Sequence, residues 1–253
     1  MINIKPLKAF SDNYIWLLES NEDISVIDPG DAKPVLDYLE NKNKNLVDIF
    51  ITHHHFDHTA GVPELISKIS GSVYGPKNSY ELIRDKVTEG DIISSLGINF
   101  EVIEVPGHTL DHIAFFNKEN NILFCGDTLF AGGCGRVFEG TFDQMFDSLN
   151  KLKQLPESTQ IYCGHEYTKS NLVFSIGVEP ENSDLVLRNS EIDSLIMKNG
   201  SSLPSSIELE KKTNPFLRCD LLGDNIQLMQ RFGLKNPSEK EIFTYIREWK
   251  DSA

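Results

Sequence analysis

The sequence predicts an α/β protein with layered sheets covered by helices, followed by a smaller all-helical domain. In the first two thirds, short runs rich in β-branched and aromatic residues end in polar loops, which is the pattern of strands. Segments with apolar residues at helical spacing lie between these runs. From about residue 168 onward only helical patterns occur. Because strands that alternate with helices indicate sheets covered by helices, we expect two domains, residues 1–167 and 168–253.

Strands are expected where apolar runs stop at a turn or a polar loop. They cover residues 24–27, 47–51, 100–105, 121–125 and 160–163.

Helices are expected where apolar side chains recur three and four positions apart. They cover residues 34–39, 142–155, 185–196, 225–232 and 239–249. A further helix should start near Ser205, because Ser205 and Glu208 have the spacing of a capping box.

The chain is acidic, with 24 Lys and Arg against 38 Asp and Glu and a formal net charge of −14. Nucleic acids and anionic membranes bind cationic surfaces, so we expect neither as a partner. Apolar runs such as residues 122–125 are far shorter than the roughly 20 residues of a membrane-spanning helix. The N-terminus lacks a signal-peptide pattern, and the four cysteines form no C-x-x-C pair. We expect a monomeric, cytoplasmic protein with reduced thiols.

All seven histidines fall in three short segments, and each segment follows a predicted strand. They are His53, His54, His55 and His58, then His108 and His112, then His165. A single histidine is more often a packed or surface residue than a ligand. Clustering at strand ends favours a metal site, because histidine is the commonest metal ligand and loops on rigid strands carry functional sites.

The segment 52–58 carries the strongest metal-binding signal. If the strand continues to His53, then His53 and His55 point to one side and His54 to the other. With three residues from later loops, the candidate ligands are His53, His55, Asp57, His58, His108, Asp127 and His165. This set suits two metal ions about 3.5–4 Å apart, each with an open position.

Four neighbouring residues lie outside this set. We expect His54 to pack away from the site, and His112 to lie either beside a ligand or on a helix face. Cys125 and Cys163 each precede a candidate ligand by two residues, and we expect both to be buried strand residues rather than ligands.

The motifs T-H-x-H-x-D-H, G-H-T, G-D-T and G-H-E occur in that order along residues 52–166. This order resembles the metallo-β-lactamase superfamily, and the resemblance implies an αββα sandwich as the catalytic domain. The ligand sets that it implies are His53, His55 and His108 for one metal ion, and Asp57, His58 and His165 for the other, with Asp127 as the bridge.

Later segments narrow the resemblance to one family. The residues G-D-T-L-F-A-G-G-C-G-R at 126–136, the Tyr after G-H-E, and T-N-P-F-L-R at 213–218 resemble glyoxalase II, the hydroxyacylglutathione hydrolases. This implies that the helical domain 168–253 binds substrate. The implied reaction hydrolyses S-(2-hydroxyacyl)glutathione. With S-D-lactoylglutathione it yields glutathione and D-lactate, the second step of methylglyoxal detoxification.

The glutathione contacts that the resemblance implies are Arg136, Phe138, Tyr167, Arg247 and Lys250. Two positions depart from the family. Arg136 stands where Lys is frequent, which keeps the charge but not the geometry, and Phe138 stands where Tyr is frequent, so only its backbone could bind. Arg247 and Lys250 could equally be surface cations near a helix end, where positive charge is favourable.

No G-x-S-x-G motif is present, so the mechanism must come from metal ions. One zinc ion lowers the pKa of bound water from about 16 to about 7, and a hydroxide that bridges two ions would attack the thioester carbonyl. Asp57, which orients this hydroxide, and Asp127 are the expected catalytic carboxylates. Zinc is the expected metal, and iron or manganese would accept the same ligands.

Three alternatives stay open: a persulfide dioxygenase-like enzyme with one iron, a lactonase, and a metal-binding module without activity. The helical tail disfavours the first, since the related dioxygenases lack it. The acidic composition does not exclude an anionic thioester. The positive charge of two divalent ions exceeds the summed negative charge of Asp57, Asp127 and a hydroxide by about one unit.

Overall fold

The computed structural model describes residues 2–77 and 80–253, which form two compact units. Unit 1 contains the described residues within Met1–Glu104, Asp111–Gly126 and Tyr162–Glu166. Unit 2 contains Val105–Leu110, Asp127–Ile161 and Tyr167–Ala253. Each unit combines separate segments of the chain, whereas the two predicted domains are continuous. The domain limits 1–167 and 168–253 stay a prediction.

Among the described residues, the first sheet of unit 1 has six strands in sequential order. They are β1 (Asn3–Ala9), β2 (Asn13–Ser20), β3 (Asp23–Ile27), β4 (Asn45–Phe50), β5 (Val73–Pro76) and β6 (Asp85–Val87). β1 to β3 are antiparallel, and β3 to β6 are parallel. Parallel neighbours need crossovers, and these contain α1 (Ala32–Lys42), α2 (Phe56–Thr59) and α3 (Val62–Leu65).

The second sheet of unit 1 has the order β7, β8, β9, β10, β13. Its strands are β7 (Ile92–Ser95), β8 (Ile98–Glu104), β9 (Ile113–Asn117), β10 (Ile122–Gly126) and the second half of β13 (Gln160–Cys163). The two sheets meet through aromatic rings, because the ring centroid of Phe50 lies 5.6 Å from that of Phe100 and 5.1 Å from that of Phe115. This close-packed interior holds the strand ends rigidly.

Unit 2 contains a short hairpin, β11 (Leu129–Phe130) with β12 (Gly133–Cys134), and the first half of β13 paired with β14 (Ser205–Ser206). Its helices are α4 (Phe142–Lys153), α5 (Thr168–Val178), α6 (Ser183–Asn199), α7 (Ile207–Thr213), α8 (Cys219–Leu222), α9 (Ile226–Phe232) and α10 (Glu239–Asp251), with a 3₁₀ turn at Pro215–Leu217. Buried aromatic residues form its core: the ring centroid of Phe243 lies 5.6 Å from that of Phe146 and 5.7 Å from that of Phe216. None of the described helices is long and apolar enough to cross a membrane.

Side-chain caps set where the helices of unit 2 begin. At α4, Thr141 Oγ1 accepts the Gln144 N–H, and the Gln144 side chain accepts the Thr141 N–H, which completes a capping box. At α7 the capping residue is Ser206, not Ser205 as expected from the sequence. Ser205 belongs to β14, and its hydroxyl donates to Glu210 instead.

The predicted class, α/β with C-terminal helices, is confirmed. Every predicted strand is present within two residues of its expected limits. The β1–β2 hairpin was not predicted. β1 is polar and contains Pro6, while β2 is a continuous apolar run, which periodicity alone does not distinguish from a buried helix.

Replacing Thr141 by Ala should lower the free energy of unfolding by about 1 kcal/mol, because an N-terminal N–H of α4 loses its acceptor. Thr141→Ser keeps the hydroxyl and should retain most of the stability. Urea denaturation followed by circular dichroism compares the two variants. Equal losses would show that the hydroxyl does not stabilise α4.

Candidate metal centre

The loop after β4 brings three histidine rings of unit 1 together. β4 ends at Phe50, so His53 lies in a loop, and the supposed continuation of the strand to His53 is wrong. The ring centroid of His53 still lies 4.7 Å from that of His55 and 4.2 Å from that of His58. The loop conformation, rather than strand alternation, therefore gathers these side chains.

A second group in unit 1 consists of Asp57, His58 and His165, whose ligand atoms all lie within 4.8 Å of one another. Asp57 Oδ2 is 3.6 Å from His58 Nε2 and 3.4 Å from His165 Nε2. His165 is held near β10 because the Gly164 N–H donates to the carbonyl of Gly126. The three predicted ligands of one metal ion are thus brought together.

Unit 2 contains the other two predicted ligands, His108 and Asp127. Both are buried, and His108 Nε2 lies 3.5 Å from Asp127 Oδ2. The turn before His108 requires glycine, since Gly107 has φ +154° and a Cβ there would lie 2.8 Å from the Met145 backbone.

A buried carboxylate, Asp28, orients two of the histidines in unit 1. Its Oδ2 accepts the Nδ1–H of His58 at 2.9 Å and the hydroxyl of Thr52 at 2.7 Å. The Thr52 N–H donates to Asp28 Oδ1 at 2.8 Å. Because the Thr52 hydroxyl proton is directed at Asp28, its oxygen accepts from His53 Nδ1, 3.0 Å away. One side chain therefore fixes His58 directly and His53 through Thr52.

The same anchoring occurs at His165 and His108. His165 Nδ1 donates to Asp12 Oδ1 at 2.8 Å, and His108 Nδ1 donates to the backbone carbonyl of Arg136 at 2.7 Å. An ionised carboxylate and a carbonyl can only accept, so the proton is on Nδ1 and the lone pair is on Nε2.

These donor sets fit divalent metal ions. In His58, His165 and His108, the Nε2 lone pair faces a carboxylate oxygen at 3.4–3.6 Å. Two acceptors at that distance repel each other unless a cation binds both. Anchoring of Nδ1 with Nε2 turned toward the site is the usual arrangement of metal-ligating histidine.

Asp57 is held by groups from neighbouring loops of unit 1. Asn13 Nδ2 donates to Asp57 Oδ2 at 2.9 Å and to its backbone carbonyl at 3.3 Å. A Cβ at Gly30 would lie 1.8 Å from that carbonyl oxygen. Glycine is therefore needed at position 30 for the backbone of residue 57 to approach.

The two remaining histidines support the ligand loop. His54 does not simply pack, as expected, because its side chain is 37% exposed and its Nδ1 is 3.0 Å from Asp111 Oδ1. His112 is buried and stacks on the ring of His53, with centroids 4.6 Å apart and planes at 17°. His112 thus lies beside a ligand rather than on a helix face.

Arg136, Phe138 and Tyr167, three of the expected substrate contacts, lie in unit 2. The Arg136 side chain is 59% exposed, and its guanidinium lies 5.6 Å from the ring centroid of Phe138. Phe138 is exposed, and its ring centroid lies 5.3 Å from that of His108 with the ring planes at 72°. Tyr167 is half-buried against Phe130.

Arg247 is 3% exposed, so the alternative that it is a surface cation is wrong. Its Nη1 donates to the carbonyl of Cys134 at 3.0 Å, and its Nη2 donates to Asp251 Oδ1 at 2.9 Å.

Lys250, one turn later on α10, is partly buried, and its Nζ donates to Asn171 Oδ1. Burial lowers the pKa of Lys250 to about 8. The charge of Arg247 acts in the same direction, whereas Cys134 and Asp251 oppose it. At neutral pH the ammonium is therefore mostly charged and incompletely hydrated.

Several residues that orient the ligands were not identified from the sequence. They are Asp12, Asn13, Asp28 and Thr52. Asp28 and Thr52 had a signal, because each directly follows a predicted strand, at residues 24–27 and 47–51. Cys125 and Cys163 are buried strand residues, as predicted.

Comparison with protein families matches the chain in two parts. The model of the metallo-beta-lactamase superfamily matches residues 10–165, and the model of the hydroxyacylglutathione hydrolase C-terminus matches residues 166–253. Together the two matches cover nearly all of the chain.

Two relatives that match this chain over nearly their full length are named hydroxyacylglutathione hydrolase. The hydroxyacylglutathione hydrolase of Pseudoalteromonas translucida is 47% identical over 99% of both chains. That of Pseudomonas fluorescens is 48% identical over 99% of both. Among solved structures, ETHE1 from Myxococcus xanthus is 26% identical with a TM-score of 0.66, covering 94% of this chain and 93% of that one.

Replacing Asp28 by Asn should weaken metal binding by about 10–100-fold, because an amide cannot accept from His58 and Thr52 as a carboxylate does. Competition with a chromogenic chelator measures the affinity. Asp31→Asn, three residues later at the start of α1, is the matched control and should bind metal normally. Normal metal affinity in Asp28→Asn would show that Asp28 does not support the metal site.

Proposed function

This chain belongs to the hydroxyacylglutathione hydrolase (glyoxalase II) family of the metallo-beta-lactamase superfamily, and from that membership we propose how its residues perform the reaction. It is a thioester hydrolase that converts hydroxyacylglutathione into glutathione and a 2-hydroxy acid. We propose S-D-lactoylglutathione as the substrate and D-lactate as the product, which places the enzyme at the second step of methylglyoxal detoxification.

The observation that carries the metal assignment is the anchoring of four imidazoles through Nδ1. Anchored imidazoles lose little freedom on binding a metal ion. The first ion would bind His53, His55 and His108, the second would bind Asp57, His58 and His165, and Asp127 would bridge them. A carboxylate suits the bridge because it offers two oxygens, whereas imidazole offers one nitrogen.

When bound, the two ions supply a water of lowered pKa and draw electrons from the thioester carbonyl. Asp57 orients the attacking water, since Asn13 holds its carboxylate at Oδ2. The water gives one proton to the solvent, its oxygen bonds to the carbonyl carbon, and the carbon–sulfur bond breaks. The acyl group with the remaining O–H is released as a 2-hydroxy acid, and the sulfur leaves with the bonding electrons as the thiolate of glutathione. A thiolate is a weakly basic leaving group, so no general acid is required for this step.

Cationic side chains of unit 2 would bind the glutathione carboxylates. Arg136 offers an exposed guanidinium, and Lys250 offers an incompletely hydrated ammonium. The Tyr167 hydroxyl would donate a hydrogen bond, and Phe138 would contribute its backbone. Arg247 adds positive charge one turn before Lys250 on α10. These charges attract an anionic substrate although the whole chain has a net charge of −14.

Zinc is the metal ion that we propose for the resting enzyme. Imidazole and carboxylate ligands suit zinc, and they also accept iron or manganese. Metal analysis of the purified protein distinguishes these.

The monomeric state and the cytoplasmic location stay predictions from the sequence.

Replacing Asp127 by Ala should abolish thioester hydrolysis and reduce the bound metal, because the bridging carboxylate is lost. Loss of thioester absorbance with S-D-lactoylglutathione measures the first, and elemental analysis measures the second. Asp143→Ala, on α4, is the control for removal of an acidic residue elsewhere. Two retained ions with normal turnover in Asp127→Ala would overturn the bridge assignment.

The KM for S-D-lactoylglutathione should rise above pH 8 as Lys250 loses its charge. Because the pKa of Lys250 is about 8, the contact between its ammonium and a substrate carboxylate is present below pH 8 and is lost as the pH rises above 8. Loss of a charge-assisted hydrogen bond worth about 1.5 kcal/mol raises KM roughly tenfold. Lys250→Met should have a high KM at every pH. Parallel KM profiles of the wild type and Lys250→Met would contradict this role.

A further inference from the structure

Arg247 is a buried arginine whose guanidinium contacts the backbone next to two metal ligands of unit 2. Its Nη1 donates to the carbonyl of Cys134 at 3.0 Å and lies 3.5 Å from the carbonyl oxygen of Gly135. Its Nη2 donates to Asp251, one turn later on α10, at 2.9 Å. The ring of Phe216 lies 5.3 Å from the guanidinium carbon. The guanidinium is thus fixed on several sides.

The backbone that Arg247 holds packs directly on both ligands. The Gly135 N–H donates to the carbonyl of Thr128 at 3.1 Å. A Cβ at Gly135 would lie 1.9 Å from the carbonyl oxygen of Asp127 and 3.3 Å from His108 Nδ1. Gly135 therefore fills the narrow space between the backbone of one ligand and the ring of the other.

The next residue supplies the acceptor that orients His108. The carbonyl of Arg136 accepts from His108 Nδ1 at 2.7 Å. Residues 134 and 135 are held by the guanidinium, and residue 136 holds the imidazole. A shift of the segment would change both the direction of His108 Nε2 and its 3.5 Å distance from Asp127 Oδ2.

We propose that Arg247 is a positioning residue for the metal ligands His108 and Asp127, acting through the carbonyls of Cys134 and Gly135. This role rests on the proposed metal assignment and is additional to the glutathione contact that the family resemblance implies. An arginine suits it because the planar guanidinium donates in several fixed directions at once. A lysine ammonium is a point charge without that fixed fork.

The test compares Arg247→Met with Lys250→Met, a change of another cation on the same helix. Both variants are loaded with zinc, dialysed against a weak chelator and analysed for metal content. KM and kcat for S-D-lactoylglutathione are then measured at saturating zinc. We expect Arg247→Met to bind zinc about 10–100-fold more weakly and to retain about one ion fewer per chain. Its kcat should also fall, because the reacting groups are misplaced. KM should rise as well, since the positive charge of Arg247 attracts the substrate, so zinc content and kcat are the readouts that separate Arg247→Met from Lys250→Met.

Lys250→Met should keep the zinc content of the wild type and raise KM. Arg247→Lys should recover little zinc affinity, because the fork of donors is lost. Normal zinc content with a raised KM in Arg247→Met would overturn the proposal and make Arg247 a substrate contact. Normal zinc content with an unchanged KM and kcat would overturn both roles.

A milder variant covers the case in which Arg247→Met does not fold, as judged by circular dichroism. Asp251→Asn weakens the partner that fixes Nη2 and leaves the guanidinium in place. We expect it to reduce zinc affinity in the same direction, and unchanged affinity would overturn the proposal. Zinc content does not depend on the substrate. A wild type that binds two ions but hydrolyses no glutathione thioester would therefore overturn the proposed reaction and leave this inference standing.

Discussion

The candidate site depends on one interaction, the hydrogen bond from a histidine Nδ1 to a fixed acceptor. It recurs at His58, His165 and His108, and through a hydroxyl at His53. The bond selects the tautomer and the ring orientation together, so Nε2 presents its lone pair before any metal ion binds. Facing carboxylates such as Asp57 then repel the lone pairs until a cation is present. The ligand side chains are thus held in an arrangement that divalent ions stabilise.

Such hydrogen bonds require rigid acceptors, and the sheets and their loops provide them. Asp28 follows β3, and Asp12 lies in the turn between β1 and β2. Elsewhere the acceptor is a backbone carbonyl, which must be held by contacts of its own. Arg136 O in unit 2 is of this kind, and buried Arg247 holds the two carbonyls before it. Glycines at positions 30 and 135 let the backbone come close enough, because a Cβ at either would overlap a carbonyl oxygen.

The net charge of the chain and the charges expected at the site lead to opposite predictions about the binding of anions. A net charge of −14 disfavours nucleic acids and anionic surfaces. The expected substrate is also an anion, and in the proposed binding mode it would be attracted by the metal ions and by cations such as Arg136 and Lys250. Burial of Lys250 leaves its ammonium less hydrated, so a carboxylate displaces less water to reach it. Composition counts every charge equally, whereas binding depends on the few that line a site.

The α/β class, the helical C-terminal region, and the residue types and order of the candidate ligands follow from the amino-acid sequence alone. Strand-like runs that stop at His and Asp are visible without coordinates, because strand periodicity and ligand chemistry are local properties. The acceptor that each imidazole meets, in contrast, depends on the tertiary structure. Asp12 and His165 are 153 residues apart, and Asp28 and His58 are 30 apart. The tertiary structure also determines that Arg247 is buried rather than exposed at a helix end. Such pairings arise when distant segments pack, and nothing in the spacing of one segment specifies its partner in another.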